Sequence, residues 1–217
     1  MGQFAVIGLG RFGAAASTEL IKLGHSVLGV DLDSKTANKY ADTLTHVVIA
    51  DVTDRHALEE LDLGSYDMVL VAIGAELQAC LLCVVHLKSL GVNNIWVKAI
   101  SHAQHLILGK LGVTRIIHPE QEMGIRVAQL LSYPMVTDYI SLGNGEFVVE
   151  IDISEKMDNT RVKTLLEGLE QDIHVLLVKS KATVTVGPEG DFVLSSNDII
   201  VLLGQLAALR AVARKLA

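Results

Sequence analysis

The chain has 217 residues, half of them apolar and only 4% aromatic, with a net charge of −7 and a pI near 5.6. This length allows one large domain, or one domain with a smaller one beside it, around a core of mainly aliphatic side chains. The acidic balance argues against sequence-independent nucleic-acid binding, which needs clustered Lys and Arg, so we expect no nucleic-acid partner. No apolar run approaches the roughly 18 residues of a membrane span, and the start "MGQFAVIG" predicts no signal peptide.

Six apolar, β-rich runs alternate with helical segments from the first residues to about residue 132. The runs cover residues 3–8, 26–31, 46–50, 67–73, 94–99 and 114–118. They are apolar almost throughout, as parallel strands covered on both faces are. Residues 1–133 are therefore predicted to form a Rossmann-like, doubly wound parallel sheet of the α/β class.

The helical segments carry recognisable start and stop signals. The first is predicted over 11–23 and ends at Gly24, and others are predicted to be capped by Ser34, Thr53 and Ser101. The segment 75–90 contains "QACLLCVVHL", which is apolar nearly all the way round. A helix that covers one sheet needs a single apolar stripe, so this one predicts contact with a second subunit.

After "YPMVTDY" the pattern changes to shorter strands and turn residues. Pro134 is predicted to end the preceding helix, and residues 134–217 to form a small α+β domain. The strands are predicted at 137–142, 146–153, 173–180, 182–187 and 198–203. A short helix is predicted after Asn159-Thr160 and a final one over 204–216, and "KATVTVGPEGDFVL" is typical of strand, turn and strand.

The stretch "FAVIGLGRFG" runs an apolar strand into G-x-G-x-x-G, the dinucleotide-binding pattern. Its motif residues are Gly8, Gly10, Arg11, Phe12 and Gly13. The first glycine permits the turn, the second lets the backbone approach a pyrophosphate, and the third lets helix and strand pack closely. Phosphates then lie at the helix N-terminus, where free N–H groups and the helix dipole attract anions. The alternative is that these glycines only make a turn.

Other predicted nucleotide contacts follow from strand ends, because ligands of such sheets bind at the carboxyl ends of the strands. The second strand ends at Asp31, whose carboxylate suits ribose hydroxyls; the alternative is that Asp31 caps a helix. The nucleotide contacts predicted at strand ends are Asp31, Asp51, Val52, Ala72, Ile73, Gly74 and Lys98. Asp51 serves equally well as a solvated loop acid. Glu120, which follows the sixth strand, also suits the first turn of a helix after Pro119.

Catalytic patterns are missing from the sequence. None of the four tyrosines has a Lys four residues later, and there is neither a G-x-S-x-G elbow nor a Walker A lysine. Cys80, Cys83 and His86 share a broad helix face, but a redox C-x-x-C normally starts a helix and a zinc site needs a fourth ligand. Two buried thiols and a packed imidazole are the favoured interpretation.

With these motifs in place, the sequence resembles the RCK family (regulators of potassium conductance), and most of all its Ktr-type and Trk-type regulatory subunits. The resemblance runs through "QFAVIGLGRFG", "VLGVDLD", "VAIGAELQA", "NIWVKA" and "RIIHPEQEMGIRVAQ". Residues 1–133 match the N-terminal RCK domain closely. Residues 134–217 match the smaller C-terminal domain in pattern more than in motif.

The resemblance implies a cytoplasmic gating subunit and not an enzyme. It implies an octameric ring, built from dimers, on the inner face of a membrane potassium channel or transporter subunit of the KtrB or TrkH type. ATP would activate and ADP inactivate that partner, with NAD(H) as the alternative ligand. Arg11 would contact the terminal phosphate, Asp31 the ribose, and Glu120 a divalent cation, Mg²⁺ or Ca²⁺, near the γ-phosphate. The competing hypotheses are a small NAD(H)-dependent oxidoreductase and an NADH-sensing transcription factor.

Overall fold

The computed structural model describes residues 1–74, 76–132 and 136–216. The chain divides into two compact units, Met1–Glu122 and Met123–Ala217. The predicted boundary between residues 133 and 134, and the helix end predicted at Pro134, lie outside the described residues. Among the helices of the described residues, none combines the length and the apolar character needed to cross a membrane.

A parallel six-stranded sheet with the strand order β3-β2-β1-β4-β5-β6 forms the centre of the first unit. Its strands are β1 (Gln3–Ile7), β2 (Ser26–Asp31), β3 (His46–Ile49), β4 (Met68–Val71), β5 (Ile95–Lys98) and β6 (Arg115–Ile117). Each lies inside a predicted apolar run, and every neighbouring pair is parallel. The predicted doubly wound sheet is confirmed, and it gathers six strand ends along one edge.

A helix follows each of these strands. The helices are α1 (Arg11–Lys22), α2 (Ser34–Tyr40), α3 (Arg55–Glu60), α4 (Leu77–Ser89), α5 (His102–Lys110) and α6 (Pro119–Ser132), and Leu63–Ser65 forms a 3₁₀ turn. Side chains alternate along the central strand: Ala5 and Ile7 face a core completed by α3, α4 and α5, whereas Val6 faces one completed by α1 and α2. Burial on both faces explains why the strands are apolar throughout.

One of the three predicted helix caps is confirmed. Ser101 caps α5, and its hydroxyl accepts the N–H of the third helical residue. The caps predicted at Ser34 and Thr53 are wrong, because Asp33 caps α2 and Asp54 caps α3 with their carboxylates. Thr53 does not cap the helix, since its N–H and hydroxyl both bind the carboxylate at the start of the same loop.

The α4 helix has two apolar faces, as its sequence predicts. One face, which includes Cys80, Cys83 and Leu87, is completely buried in the core of the first unit. The other leaves Leu82 and Val85 exposed.

An antiparallel five-stranded sheet with the order β11-β10-β13-β8-β7 organises the second unit. The strands are β7 (Val136–Gly143), β8 (Glu146–Asp152), β9 (Thr160–Arg161), β10 (Ile173–Ser180), β11 (Thr183–Val186), β12 (Val193–Leu194) and β13 (Ile199–Gln205), and the helices are α7 (Val162–Leu165) and α8 (Leu206–Leu216). Leu209 and Val212 of α8 pack with Ile151 and Leu202 of the sheet. The predicted α+β class is confirmed for this unit.

Two details of the second unit differ from the sequence prediction. The strands on either side of the Gly-Pro-Glu-Gly turn belong to different sheets, since β11 pairs with β10 and β12 pairs with β9. The final helix begins at Leu206 and not at residue 204, because β13 continues through Gln205.

Candidate functional site

The three glycines of the motif have different surroundings. Gly8 has a φ of +92°, which a side chain would strain. A Cβ on Gly13 would stand 1.9 Å from the carbonyl oxygen of Gly8, so α1 can approach β1 only because that position has no side chain. A Cβ on Gly10 would meet no protein atom within 4 Å. Packing within the chain therefore requires the first and third glycines, and the second borders open space.

The N-terminus of α1 is prepared for an anion. Gly10 occupies the N-cap position, no side chain caps the helix there, and its first turn contains no acid. The first N–H groups of a helix have no partner within the helix, and its dipole favours negative charge at this end. Arg11, the first helical residue, is exposed and adds a permanent positive charge beside these groups.

Asp31, the last residue of β2, is tied to the glycine turn. Its Oδ2 accepts the N–H of Leu9 at 2.7 Å and its Oδ1 accepts the N–H of Asp33 at 2.9 Å. Each carboxylate oxygen has two lone pairs, so both keep acceptor capacity for a ligand hydroxyl. The bond to Leu9 joins the phosphate-side turn to the end of β2 and fixes the position of the carboxylate.

A crevice of about 660 Å³ runs along the carboxyl ends of the central strands. Eight of the predicted nucleotide-binding residues line it: Gly8, Gly10, Asp31, Asp51, Val52, Ala72, Ile73 and Gly74. The sequence prediction missed Leu32, Thr53 and Glu76, which line it as well. The sequence feature that could have identified them is their position, since each lies within a few residues of a predicted strand end.

Asp51 is held inside the loop that follows β3. Its Oδ1 accepts the hydroxyl of Thr53 at 2.7 Å and the N–H of Thr53 at 2.9 Å. These two hydrogen bonds, the hydroxyl first, lower the pKa of the Asp51 carboxyl because they stabilise its charged form. The wall of the crevice beyond Asp31 therefore presents an ionised acceptor.

Lys98 and Glu120 form a second group beside the crevice. Lys98 Nζ donates to Glu120 Oε1 at 2.5 Å and lies 5.8 Å from the centre of the Phe12 ring. The hydrogen bond from Lys98 is the largest influence that lowers the pKa of Glu120, and the charge of Arg11 lowers it further. Lys98 Nζ also lies 3.4 Å from the position that a Cβ on Gly74 would take. Phe12, Gly74 and Glu120 thus surround the Lys98 ammonium group.

The residues fit a phosphate-bearing ligand better than a metal ion. Within the described part of the chain, no group of three or more His, Cys, Asp or Glu side chains is arranged to hold a metal. Glu120 is a single carboxylate that already pairs with a lysine, so a cation there needs further oxygen ligands from outside the chain.

The favoured interpretation of the Cys80, Cys83 and His86 group is confirmed. Both thiols are buried, and burial raises their pKa, which favours the protonated form over the nucleophilic thiolate. Gln104 Nε2 donates to Cys80 Sγ at 3.6 Å. His86 is partly buried and its Nε2 lies 3.1 Å from the carbonyl oxygen of Thr53.

Comparisons with known proteins agree with this geometry. The TrkA-N domain model matches residues 4–119, which is more than half of the chain. Ktr system potassium uptake protein A of Bacillus subtilis is 39% identical over 202 residues, covering 93% of this chain and 91% of that protein. Its namesake from Vibrio alginolyticus is 35% identical over 202 residues, covering 93% and 92%.

Solved structures share the fold along the whole chain. The RCK domain of GsuK superposes with a TM-score of 0.66 at 15% identity and covers 100% of this chain, which spans 48% of that one. A GsuK channel bound to NAD gives a TM-score of 0.62 at 16% identity over 99% of this chain and 39% of that one. The predicted RCK resemblance is therefore confirmed, and the chain belongs to the TrkA-N domain family.

Proposed function

We propose that this chain is a cytosolic, nucleotide-sensing regulatory subunit of a Ktr- or Trk-type potassium uptake system, and not an enzyme. The observation that carries the proposal is the 39% identity to Ktr system potassium uptake protein A over 93% of this chain and 91% of that relative. A likeness that spans both units is stronger support than the nucleotide fold alone, because Rossmann-like domains serve many functions.

The phosphates of the nucleotide bind at the glycine turn. Gly10 borders open space, so the backbone there can approach a pyrophosphate closely. The uncapped N–H groups at the start of α1 donate to phosphate oxygens, and the helix dipole favours their charge. Gly8 and Gly13 contribute indirectly, because they allow the turn and the close packing that place these N–H groups.

The sugar and the base follow the strand order outward from β1. Asp31 at the end of β2 accepts hydrogen bonds from ribose hydroxyls, the role of the acid in this position of dinucleotide-binding folds. The base then lies at the end of β3, the next strand along. Asp51 accepts the exocyclic amino group of adenine there, whereas guanine presents a carbonyl oxygen at the same ring position and is repelled.

Sensing requires a group that distinguishes ATP from ADP, since a ligand moves a two-state equilibrium only by its differential affinity for the two states. Arg11, next to Gly10, and Lys98, next to Gly74, bring positive charge to the crevice, and a guanidinium can bind a phosphate with two hydrogen bonds. The γ-phosphate of ATP would bind Arg11 and favour the activating state. ADP has no γ-phosphate and would favour the inactive state. Glu120 joins a Mg²⁺ or Ca²⁺ ion only together with phosphate oxygens, which supply the remaining ligands.

NAD(H) is the second candidate ligand. The motif and the acid at the end of β2 suit a dinucleotide, and a structural relative, the GsuK channel, is described bound to NAD. An oxidoreductase also needs a proton donor or acceptor beside the nicotinamide. Among the described residues that line the crevice, the proton acceptors are the carboxylates of Asp31, Asp51 and Glu76, and our proposal assigns the first two to ribose and base.

Assembly into a homo-oligomer, a dimer building to an octameric ring, is part of the proposal. The exposed face of α4 bears Leu77, Leu82 and Val85. An apolar groove of about 380 Å³, lined by Phe12 and Trp96 among others, also lies on the first unit. Contiguous apolar surface of this kind marks contact with another protein surface. The further partner is the membrane potassium channel or transporter subunit.

A nucleotide panel tests the proposal. ATP, ADP, NAD⁺, NADH and GTP are titrated by calorimetry, light scattering follows assembly, and NADH absorbance is monitored with candidate hydroxy and carbonyl substrates. We expect ATP and ADP to bind, an assembly at least dimeric at micromolar concentration, and no NADH turnover. Absence of any adenine-nucleotide binding, or a monomer with nucleotide present, contradicts the proposal. NADH turnover replaces it with the oxidoreductase hypothesis.

A further inference from the structure

His86 makes a contact that the nucleotide site does not obviously require. It lies in the last turn of α4, on a helix that is otherwise almost entirely apolar on its buried side. Its Nε2 lies 3.1 Å from the carbonyl oxygen of Thr53, a residue 33 positions earlier in the chain. A carbonyl oxygen can only accept, so Nε2 carries the hydrogen and donates it.

The acceptor belongs to the short loop that forms the outer wall of the crevice. This loop, residues 50–54, joins β3 to α3 and contributes Asp51, Val52 and Thr53 to the lining. Inside it, the Asp51 carboxylate accepts the N–H and the hydroxyl of Thr53, and the N–H of Asp54 donates to the backbone carbonyl of Asp51. These bonds fix the shape of the loop, but each begins and ends within it.

The position of the loop relative to the sheet needs contacts with other elements. The N–H of Ala50 donates to the carbonyl of Asp31 at 3.2 Å, which anchors the beginning of the loop to β2. Val52 in the middle of the loop is buried in the core of the first unit, and the bond from His86 anchors the end of the loop beyond it, at Thr53, to α4. Because α4 is packed in the core through Cys83 and Leu87 on either side of His86 in sequence, it offers a rigid support.

We infer that His86 is a positioning residue for base recognition: by holding Thr53 it fixes the Asp51 carboxylate where the amino group of an adenine base binds. The inference rests on the proposed nucleotide-binding function. The strand order β3-β2-β1 places this loop beyond the ribose-binding acid, which is where the base lies when the phosphates are at α1. Loss of the anchor lets the acceptor move and weakens discrimination between an amino group and a carbonyl group.

The test compares His86→Leu with His86→Gln. Glutamine can place an N–H donor at a similar reach, whereas leucine cannot donate. His174→Leu, at an exposed position on β10 in the other unit, is the matched control. The affinities of ADP and GDP for each variant are measured by calorimetry, and amide hydrogen exchange of residues 50–54 and thermal unfolding are measured on the same samples.

We expect His86→Leu to weaken ADP binding roughly 3- to 10-fold, the size of one net hydrogen bond, and GDP binding much less. The ratio of ADP affinity to GDP affinity then falls, and amide hydrogen exchange in residues 50–54 becomes faster. His86→Gln should return both the affinity ratio and the exchange rate towards their wild-type values. An unchanged preference in His86→Leu, or equal losses for ADP and GDP that glutamine does not restore, overturns the inference. If the wild-type chain binds neither ADP nor GDP, the inference fails, and the proposed function fails with it only if ATP and NAD(H) do not bind either.

Discussion

Substituting the second and third glycines of the motif separates ligand binding from folding. Gly10→Ala adds a methyl group into space where no protein atom lies within 4 Å, at a φ of −63° that alanine adopts freely. Alanine lowers the conformational entropy of the unfolded chain, which raises the free energy of unfolding by about 0.4–1 kcal/mol. Alanine is also a poorer N-cap residue than glycine, which lowers the free energy of unfolding by a similar amount. The free energy of unfolding should therefore stay within about 0.5 kcal/mol of wild type.

Gly13→Ala is the contrasting substitution. Its Cβ would stand 1.9 Å from the Gly8 carbonyl oxygen and 3.1 Å from the Cβ of Ala72, so α1 must move away from β1 by roughly 1 Å or more. Overpacking against backbone costs about 3 kcal/mol. For a unit of this size, that loss lowers the unfolding temperature by roughly 10 °C.

Urea unfolding followed by circular dichroism, with calorimetric titration of ATP and ADP, distinguishes the two variants. Gly10→Ala should keep its stability and lose at least 10-fold in affinity for both nucleotides, because its methyl group occupies the place of the phosphates. Gly13→Ala should lose stability first. Wild-type affinity in a stable Gly10→Ala variant would refute the assignment of the phosphates to this turn.

Three further predictions concern charges and thiols. Arg11→Ala should weaken ATP binding by about 1–3 kcal/mol and ADP binding less, as measured by calorimetry, and equal losses would exclude a contact with the third phosphate. Glu120→Gln should abolish the Mg²⁺ or Ca²⁺ dependence of ATP affinity and leave ADP affinity nearly unchanged, whereas a wild type indifferent to both cations contradicts the metal role. Cys80 and Cys83 should react with a thiol reagent at pH 8 only after unfolding, because burial raises their pKa, and rapid labelling of the native chain would argue against their burial.

The sequence predicts the first unit well because its pattern is repetitive and its strands are buried on both faces. Each of the six strands lies in an apolar run bounded by polar or turn residues, so few other strand positions are compatible with the sequence. The second unit is less predictable in detail. Strands β9 and β12 have two residues each, which is too short for any periodicity, and they form only because Thr160–Arg161 and Val193–Leu194 meet across a long interval of sequence.

The site shows the same division between local and distant causes. Sequence spacing alone predicts the three motif glycines and the acid of the candidate site, since the motif is local and the acid ends the next strand. These residues are Gly8, Gly10, Gly13 and Asp31. The bond from Leu9 to Asp31 and the bond from His86 to the Thr53 carbonyl join residues far apart in sequence. No composition or period predicts such contacts, because they depend on where the backbone of one element passes the side chain of another.

We propose that nucleotide identity controls potassium transport through this chain, and this control is open to direct measurement. Its most direct test is ⁸⁶Rb⁺ flux into vesicles that hold the Ktr-type membrane subunit from the same genome, with the purified chain bound and either ATP or ADP present. We expect high flux with ATP, low flux with ADP, and no response to either nucleotide when stable Gly10→Ala protein replaces the wild type. Flux that is equal with ATP, ADP and no nucleotide, while the wild-type chain remains bound to the vesicles, would contradict control by the nucleotide.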